Sequence, residues 1–243
     1  EQTGADAMLV VTPYYNKATQ KGLVRMYETI AQASTKPIIL YNVPSRTGVD
    51  IPVSVYQVLS RLPNIAGIKE ASSDITKIAK IRAACPDLQV WSGNDDQAAA
   101  VMALGGDGVI SVVSNVLPTE TKAMADAALD GDFDTASDLQ LRLMPLIEAL
   151  FREVNPIPVK AAMAAMGFCE NTLRLPLTPM EQKNEQILLK NMEKKTGCVS
   201  RDLRCRRTME QISCLAQTML DSDTQQMRDA AQKILKLTET LEE

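Results

Sequence analysis

The chain has 243 residues, 45% of them hydrophobic and 23% charged, which is the balance of a globular protein and excludes a disordered or fibrous one. Lys and Arg number 26 against 30 Asp and Glu, a net charge of -4, so no basic field favours nucleic acid or an anionic membrane surface. Histidine is absent, which excludes Ser-His-Asp and Cys-His nucleophile systems, His-ligated metals and imidazole acid–base catalysis.

Short apolar runs alternate with amphipathic stretches along the first two thirds of the chain, the pattern of β/α units around a parallel sheet. Strands are expected at residues 7–12 (AMLVVT), 37–41 (PIILY), 65–69 (IAGIK), 88–92 (LQVWS) and 108–113 (GVISVV). None carries the alternating polar face of a half-exposed strand, which fits burial on both sides. Between them, Leu23, Met26, Tyr27, Ile30 and Ala31 follow helical spacing, as do Val55, Val58, Leu59 and Leu62, then Ile75, Ile78 and Ile81. Asp74 before Ile75, and Pro118 followed by Glu120, are helix-start signals. Five β/α units are legible in this way.

Residues 132–152 read as an apolar helix with an acidic start, interrupted by Pro145, whose ring removes one backbone hydrogen bond and predicts a kink. Further helices are expected at 159–166 and 179–194. The spacing of apolar residues beyond 197, split at Asp221-Ser222-Asp223-Thr224, predicts an extra helical hairpin over 197–243. The expected organisation is a β/α domain over 1–130, an all-helical region over 131–196 and that hairpin.

No apolar run reaches the roughly 20 residues that span a bilayer, and the N-terminus lacks the pattern of a signal peptide, so a cytoplasmic location is expected. The five cysteines, Cys85, Cys169, Cys198, Cys205 and Cys214, are odd in number and show no CxxC spacing, which predicts neither a disulfide framework nor a zinc site. A first residue of Glu suggests a chain that begins inside a longer reading frame.

Three apolar runs end in reactive polar residues: Thr12-Pro13-Tyr14-Tyr15-Asn16, Tyr41-Asn42-Val43-Pro44-Ser45-Arg46, and Lys69-Glu70-Ala71-Ser72. In β/α barrels the C-terminal strand ends converge on one mouth, where catalytic groups sit. Lys69 closes an apolar stretch, and such surroundings disfavour an ammonium and lower its pKa. A neutral amine attacks a carbonyl and forms an imine, an electron sink that needs no metal. The alternative is a buried or snorkelling lysine paired with a carboxylate such as Glu70, and structural ion pairs of that kind are common.

Tyr41 is either a general acid–base phenol or a core aromatic with a local partner. Arg46 is either a bidentate carboxylate clamp or one half of an exposed salt bridge. Tyr14 and Tyr15 could divide between a site and an interface, or pack together beneath a loop. Gly93 could let a ligand approach the backbone, and Gly105-Gly106-Asp107-Gly108 could be only a tight turn. Neither GxGxxG nor GxxxxGK[ST] occurs, which argues against nucleotide binding.

Taken together, VTPYYN at 11–16, YNVPSRTG at 41–48, GIKEA at 67–71, GVISV at 108–112, NPIPVK at 155–160 and LRLP at 173–176 closely resemble the dihydrodipicolinate synthase family of Schiff-base aldolases. The resemblance covers about residues 1–196. It implies the last five β/α units of a (β/α)8 TIM barrel followed by a helical C-terminal region. It also implies a homo-oligomer built as a dimer of dimers, and no cofactor and no metal.

The implied activity is a lyase that condenses pyruvate with aspartate semialdehyde to 4-hydroxy-tetrahydrodipicolinate in lysine biosynthesis. Lys69 resembles the imine-forming lysine, Tyr41 the proton-transferring phenol and Tyr15 the tyrosine that crosses the dimer interface to complete a relay. Arg46 resembles the clamp for the semialdehyde carboxylate, Gly93 and Ile110 the backbone lining of the pyruvate site, and Tyr14 a tyrosine at the interface where lysine binds in some members. The arginine in YNVPSRTG favours this family over its sister, the N-acetylneuraminate lyases, whose activity on sugar acids is an alternative.

Members of the family carry three β/α units before the VTPYYN strand, including a Gly-Thr-Thr-Gly-Glu segment that links the relay tyrosines, and this sequence does not contain them. An open five-stranded sheet would expose both edges. The chain is therefore expected to be weakly active or inactive alone, or to act as a non-catalytic fragment that associates with intact subunits.

Overall fold

A computed structural model describes residues 4–196 together with Gln232. Five parallel strands, β1 (Met8–Val11), β2 (Ile38–Asn42), β3 (Ile65–Glu70), β4 (Gln89–Ser92) and β5 (Gly108–Val109), lie in one sheet in chain order. A spatial order that follows chain order is that of a barrel wall; a doubly wound sheet reverses at a switch point. The returning helices are α1 (Gln20–Gln32), the short α2 (Pro44–Thr47), α3 (Val53–Leu59), α4 (Ile75–Ala84), α5 (Ala98–Ala103) and α6 (Pro118–Leu129). The helix α7 (Phe133–Leu150) follows. The fold is thus a partial (β/α)8 barrel wall with a helical region after it.

Local chemistry starts the helices where the sequence signals stand. Thr19, Asp74 and Asp132 accept hydrogen bonds from the backbone N–H of Gly22 (3.2 Å), Lys77 (3.2 Å) and Thr135 (3.0 Å), satisfying donors that the first turn leaves unpaired. Gly48 ends α2 in the left-handed conformation at φ 64°, which a glycine adopts without steric cost.

The core of the first unit lies between the sheet and its helices. Ile38, Leu40, Ile68 and Val90 are buried against Leu23, Tyr27, Leu59 and Ile81. The Tyr27 hydroxyl donates to the Val10 carbonyl at 3.2 Å and ties α1 to β1. Strand alternation sends every second side chain to the other face. Along β2 this leaves Ile39 and Tyr41 half-buried between the buried Ile38, Leu40 and Asn42.

Two expectations need correction. The last apolar run, read as a strand over 108–113, stops at Val109, because the Asp95 carboxylate accepts the N–H groups of Val112 (2.8 Å) and Val113 (3.3 Å) and turns the chain into a 3-10 segment, Val113–Asn115. The helix α5 has no counterpart among the expected elements, since its alanine-rich sequence offers little contrast between faces. The helix expected over 132–152 is α7, with Pro145 inside it.

By its contacts the chain divides at Arg152, so α7 belongs with the sheet in the first unit. In the second unit α8 (Ile157–Ala165) packs on α9 (Gln182–Thr196). There the Glu153 carboxylate accepts the Glu181 N–H (3.1 Å) and the Asn184 side-chain amide (2.7 Å). The hairpin expected over 197–243 lies outside the described residues. None of the described helices is long and apolar enough to cross a membrane.

Leu40, fully buried at the middle of β2, tests the location of the core. Leu40→Ala is expected to lower the unfolding free energy by about 3 kcal/mol, from lost transfer energy and the cavity left behind, measured by urea denaturation.

Candidate active site

The strand register builds the site. Tyr41 and Lys69 occupy the next-to-last positions of β2 and β3 and are direct partners in the parallel ladder. Both belong to the sheet face opposite the helix-packed core, and Lys69 Nζ stands 4.6 Å from the centroid of the Tyr41 ring. This is within range of attraction between an ammonium and the ring face.

Burial and two charges, Asp95 and Arg46, act on the pair. Burial pushes the Lys69 amine below the ordinary lysine range, and the negative charge of Asp95 partly opposes that shift. Burial also pushes the Asp95 carboxyl up, opposed by a hydrogen bond from Ser111, by the N–H groups of Val112 and Val113, and by the Lys69 charge. Tyr41 is likewise pushed up by burial, with the Arg46 guanidinium pulling the other way. Desolvation therefore favours a neutral amine and a protonated phenol side by side, which is a nucleophile next to a proton donor.

Bare backbone is required beside the amine. Gly93 donates its N–H to the Glu70 carbonyl at 2.7 Å, and a Cβ there would fall 2.7 Å from Ala71 Cβ and 3.2 Å from Lys69 Cε. Ile110 continues the edge of the site by donating its N–H to the Ser92 carbonyl at 2.9 Å. Trp91 is the register partner of Lys69 on β4 and lies over Gly67, where a Cβ would come 2.5 Å from its ring. The register sets Trp91 beside Lys69 on the same face of the sheet.

The fold thus brings Lys69, Tyr41 and Gly93 together, with the charge of Arg46 acting on Tyr41 and the Ile110 backbone on the neighbouring strand end. Tyr14 and Tyr15, 72% and 89% exposed on the segment after β1, do not join them within the described residues. The pairing of Lys69 with Glu70 that the sequence left open is not made. Successive residues of a strand point to opposite faces, and Glu70 is buried behind the sheet, where Lys77 Nζ lies 3.6 Å from its carboxylate.

Sequence reading did not pick out Asp95, Asn42, Tyr56 or Lys77 for the site. One signal was present. Asn42 and Glu70 are polar residues at positions where alternation from Leu40 and Ile68 calls for apolar ones.

Residues 1–195 match the Dihydrodipicolinate synthetase family. A 4-hydroxy-tetrahydrodipicolinate synthase of Caldicellulosiruptor saccharolyticus is 54% identical over 190 residues, 78% of this chain and 64% of that relative. The chain therefore spans somewhat under two thirds of the length of this relative. The crystal structure of dihydrodipicolinate synthase from Aquifex aeolicus superposes with a TM-score of 0.80 at 44% identity, over 82% of this chain and 69% of that one. The Acinetobacter baumannii enzyme complexed with pyruvate superposes at 0.78 and 42% identity, over 82% and 68%.

The balance at Lys69 has a sign that can be measured. Asp95→Asn removes the charge that favours the ammonium, so the Lys69 pKa is expected to fall further and the neutral fraction of the amine to grow. Reductive methylation of Lys69 at neutral pH, followed by mass spectrometry, should rise by about three- to tenfold relative to the 73% exposed Lys122.

Proposed function

The chain belongs to the dihydrodipicolinate synthetase family, and on that basis we propose that it carries the imine-forming half of a pyruvate-condensing lyase. The observation that supports this reading is the desolvated Lys69 amine placed against the Tyr41 ring. The Lys69 amine attacks C2 of pyruvate, and the carbinolamine loses water to give an iminium. Loss of a proton from C3 gives an enamine, whose C3 attacks the aldehyde carbon of aspartate semialdehyde while the aldehyde oxygen takes a proton. The amino group of that substrate then attacks C2, displaces Lys69 and closes the ring of 4-hydroxy-tetrahydrodipicolinate, so that one water is released overall.

Within this scheme Tyr41 carries protons to and from the carbinolamine, and Arg46 holds the semialdehyde carboxylate. The backbone at Gly93 and Ile110 lines the pyruvate position. The high exposure of Tyr15 suits a residue that completes its relay in a neighbouring subunit of a homo-oligomer, and that of Tyr14 suits an interface that binds lysine. No cofactor takes part, and the setting is cytoplasmic.

A second reading, association with intact family subunits without independent turnover, is favoured by Leu9 and Val11, which leave 47% and 39% of their surface exposed on the edge strand β1. Co-purification with an intact synthase, without imine formation by the chain alone, is the result that reading requires.

Incubation with pyruvate and borohydride, followed by peptide mapping, is expected to place a reduced pyruvyl adduct on Lys69 and none on a Lys69→Arg variant. Tyr41→Phe is expected to slow trapping by about a hundredfold or more, the usual contribution of a positioned acid–base group. A folded chain that yields no adduct on Lys69 would falsify the imine reading.

A further inference from the structure

Behind the sheet, directly beneath Tyr41 and Lys69, lies a buried polar cluster that the chemistry above does not use. Asn42 and Glu70 are the last residues of β2 and β3 and are partners in the ladder. The Asn42 side-chain amide donates to Glu70 Oε1 at 2.8 Å and to the Asp50 carboxylate at 2.7 Å, while its oxygen accepts the Ile51 N–H at 3.0 Å. Glu70 also accepts the Ser72 N–H at 2.9 Å and the Tyr56 hydroxyl at 3.0 Å. Lys77 pairs with Asp50 and stands 3.6 Å from Glu70. Two backbone bonds continue the ladder past the strand ends, from Ala71 N–H to the Asn42 carbonyl (2.8 Å) and from Gly93 N–H to the Glu70 carbonyl (2.7 Å).

We infer that Asn42, Glu70 and Tyr56 are positioning residues that hold the ends of β2 and β3 level and so set Lys69 against Tyr41. A strand can slip or fray at its end, and a one-residue slip moves every side chain to the other face. Glu70 opposes this because its carboxylate is bonded at once to β2, to α3 and to the turn after β3, each bond fixing a different backbone segment. The buried Tyr56 phenol stays protonated, since burial and then the Glu70 charge push it far up, and it remains a donor. The inference rests on the imine reading of Lys69, but its test does not use pyruvate.

The test is Tyr56→Phe, which removes one hydroxyl and no charge, with Lys69 methylated by formaldehyde and cyanoborohydride across pH and Lys122 as internal reference. The charged and titratable groups that act at Lys69 are Asp95 and Tyr41, with Arg46 behind Tyr41, and the substitution leaves all three in place. A strand end released from Tyr56 hydrates the amine and raises its pKa. Lys69 is then expected to lose about three- to tenfold of its reactivity relative to Lys122 at neutral pH, with an unchanged circular dichroism spectrum.

Glu70→Gln is a second variant: Glu70 is not among the charges that act at Lys69, so weakening its bonds to Asn42, Tyr56 and Ser72 is expected to lower Lys69 reactivity as well, and unchanged or raised reactivity there overturns the inference. A Lys69 titration in folded Tyr56→Phe that superposes on the parent overturns the inference. Loss of the fold in that variant does so too, because it would make the hydroxyl a general stabiliser. Absence of a pyruvate adduct in the parent chain, with methylation shifted as expected, would count against the imine reading and leave the positioning role standing.

Discussion

A carboxylate buried behind a β-sheet must be hydrogen-bonded on both oxygens and face positive charge, or its desolvation opposes the fold. Glu70 meets that condition with donors from Asn42, Tyr56 and the Ser72 backbone, and with Lys77 within ion-pair distance. The partners come from β2, α3, α4 and the turn after β3. Satisfying one charge therefore fixes where four pieces of chain sit. The sheet end is also the floor of the site, so the same constraint sets the height at which Lys69 and Tyr41 stand.

Above that floor, burial acts on two groups in opposite senses with one result. It makes the amine of Lys69 less basic and the phenol of Tyr41 less acidic, so each is driven toward its neutral form. The imine formation proposed for Lys69 would use both: a free electron pair to attack the carbonyl and a nearby proton to carry off the carbinolamine oxygen as water. Arg46 and Asp95 pull against these shifts. Asp95 has a second task, since its hydrogen bonds to Val112 and Val113 end β5 early. One residue thus shapes the rim and tempers the amine.

Periodicity made the five strands and most helices legible, because sheet burial writes itself as runs of Val, Ile and Leu and helix burial as a spacing of three or four. The early end of β5 was not legible, since the residues Ile110 to Val113 are good strand formers and the carboxylate that turns them lies fifteen or more positions upstream. The candidates Lys69, Tyr41 and Arg46 stand out in the sequence by their places at the ends of apolar runs. Asn42 and Glu70 adjoin those residues in the sequence, and only strand alternation assigns them to the other face. The open question about Lys69 and Glu70 was a question of period, and a period of two answers it.

The two faces of the sheet depend on different things. The helix-packed face is closed within the described residues, with Leu40, Ile68 and Val90 buried on it, and it supplies the stability of the first unit. The face that carries Lys69 is half-solvated, and on its β1 edge Leu9 and Val11 remain exposed. Lys69 already feels enough burial there to lower its basicity, from neighbours on β2, β3 and β4. Any surface that comes to cover Leu9 and Val11 removes more water from the same face. It would depress the amine further by desolvation and, by lowering the local dielectric, strengthen the pull of Asp95 on the remaining ammonium. The two effects oppose each other, and at Lys69 desolvation is already the larger, so further cover drives the amine toward its neutral form while Asp95 tempers the shift.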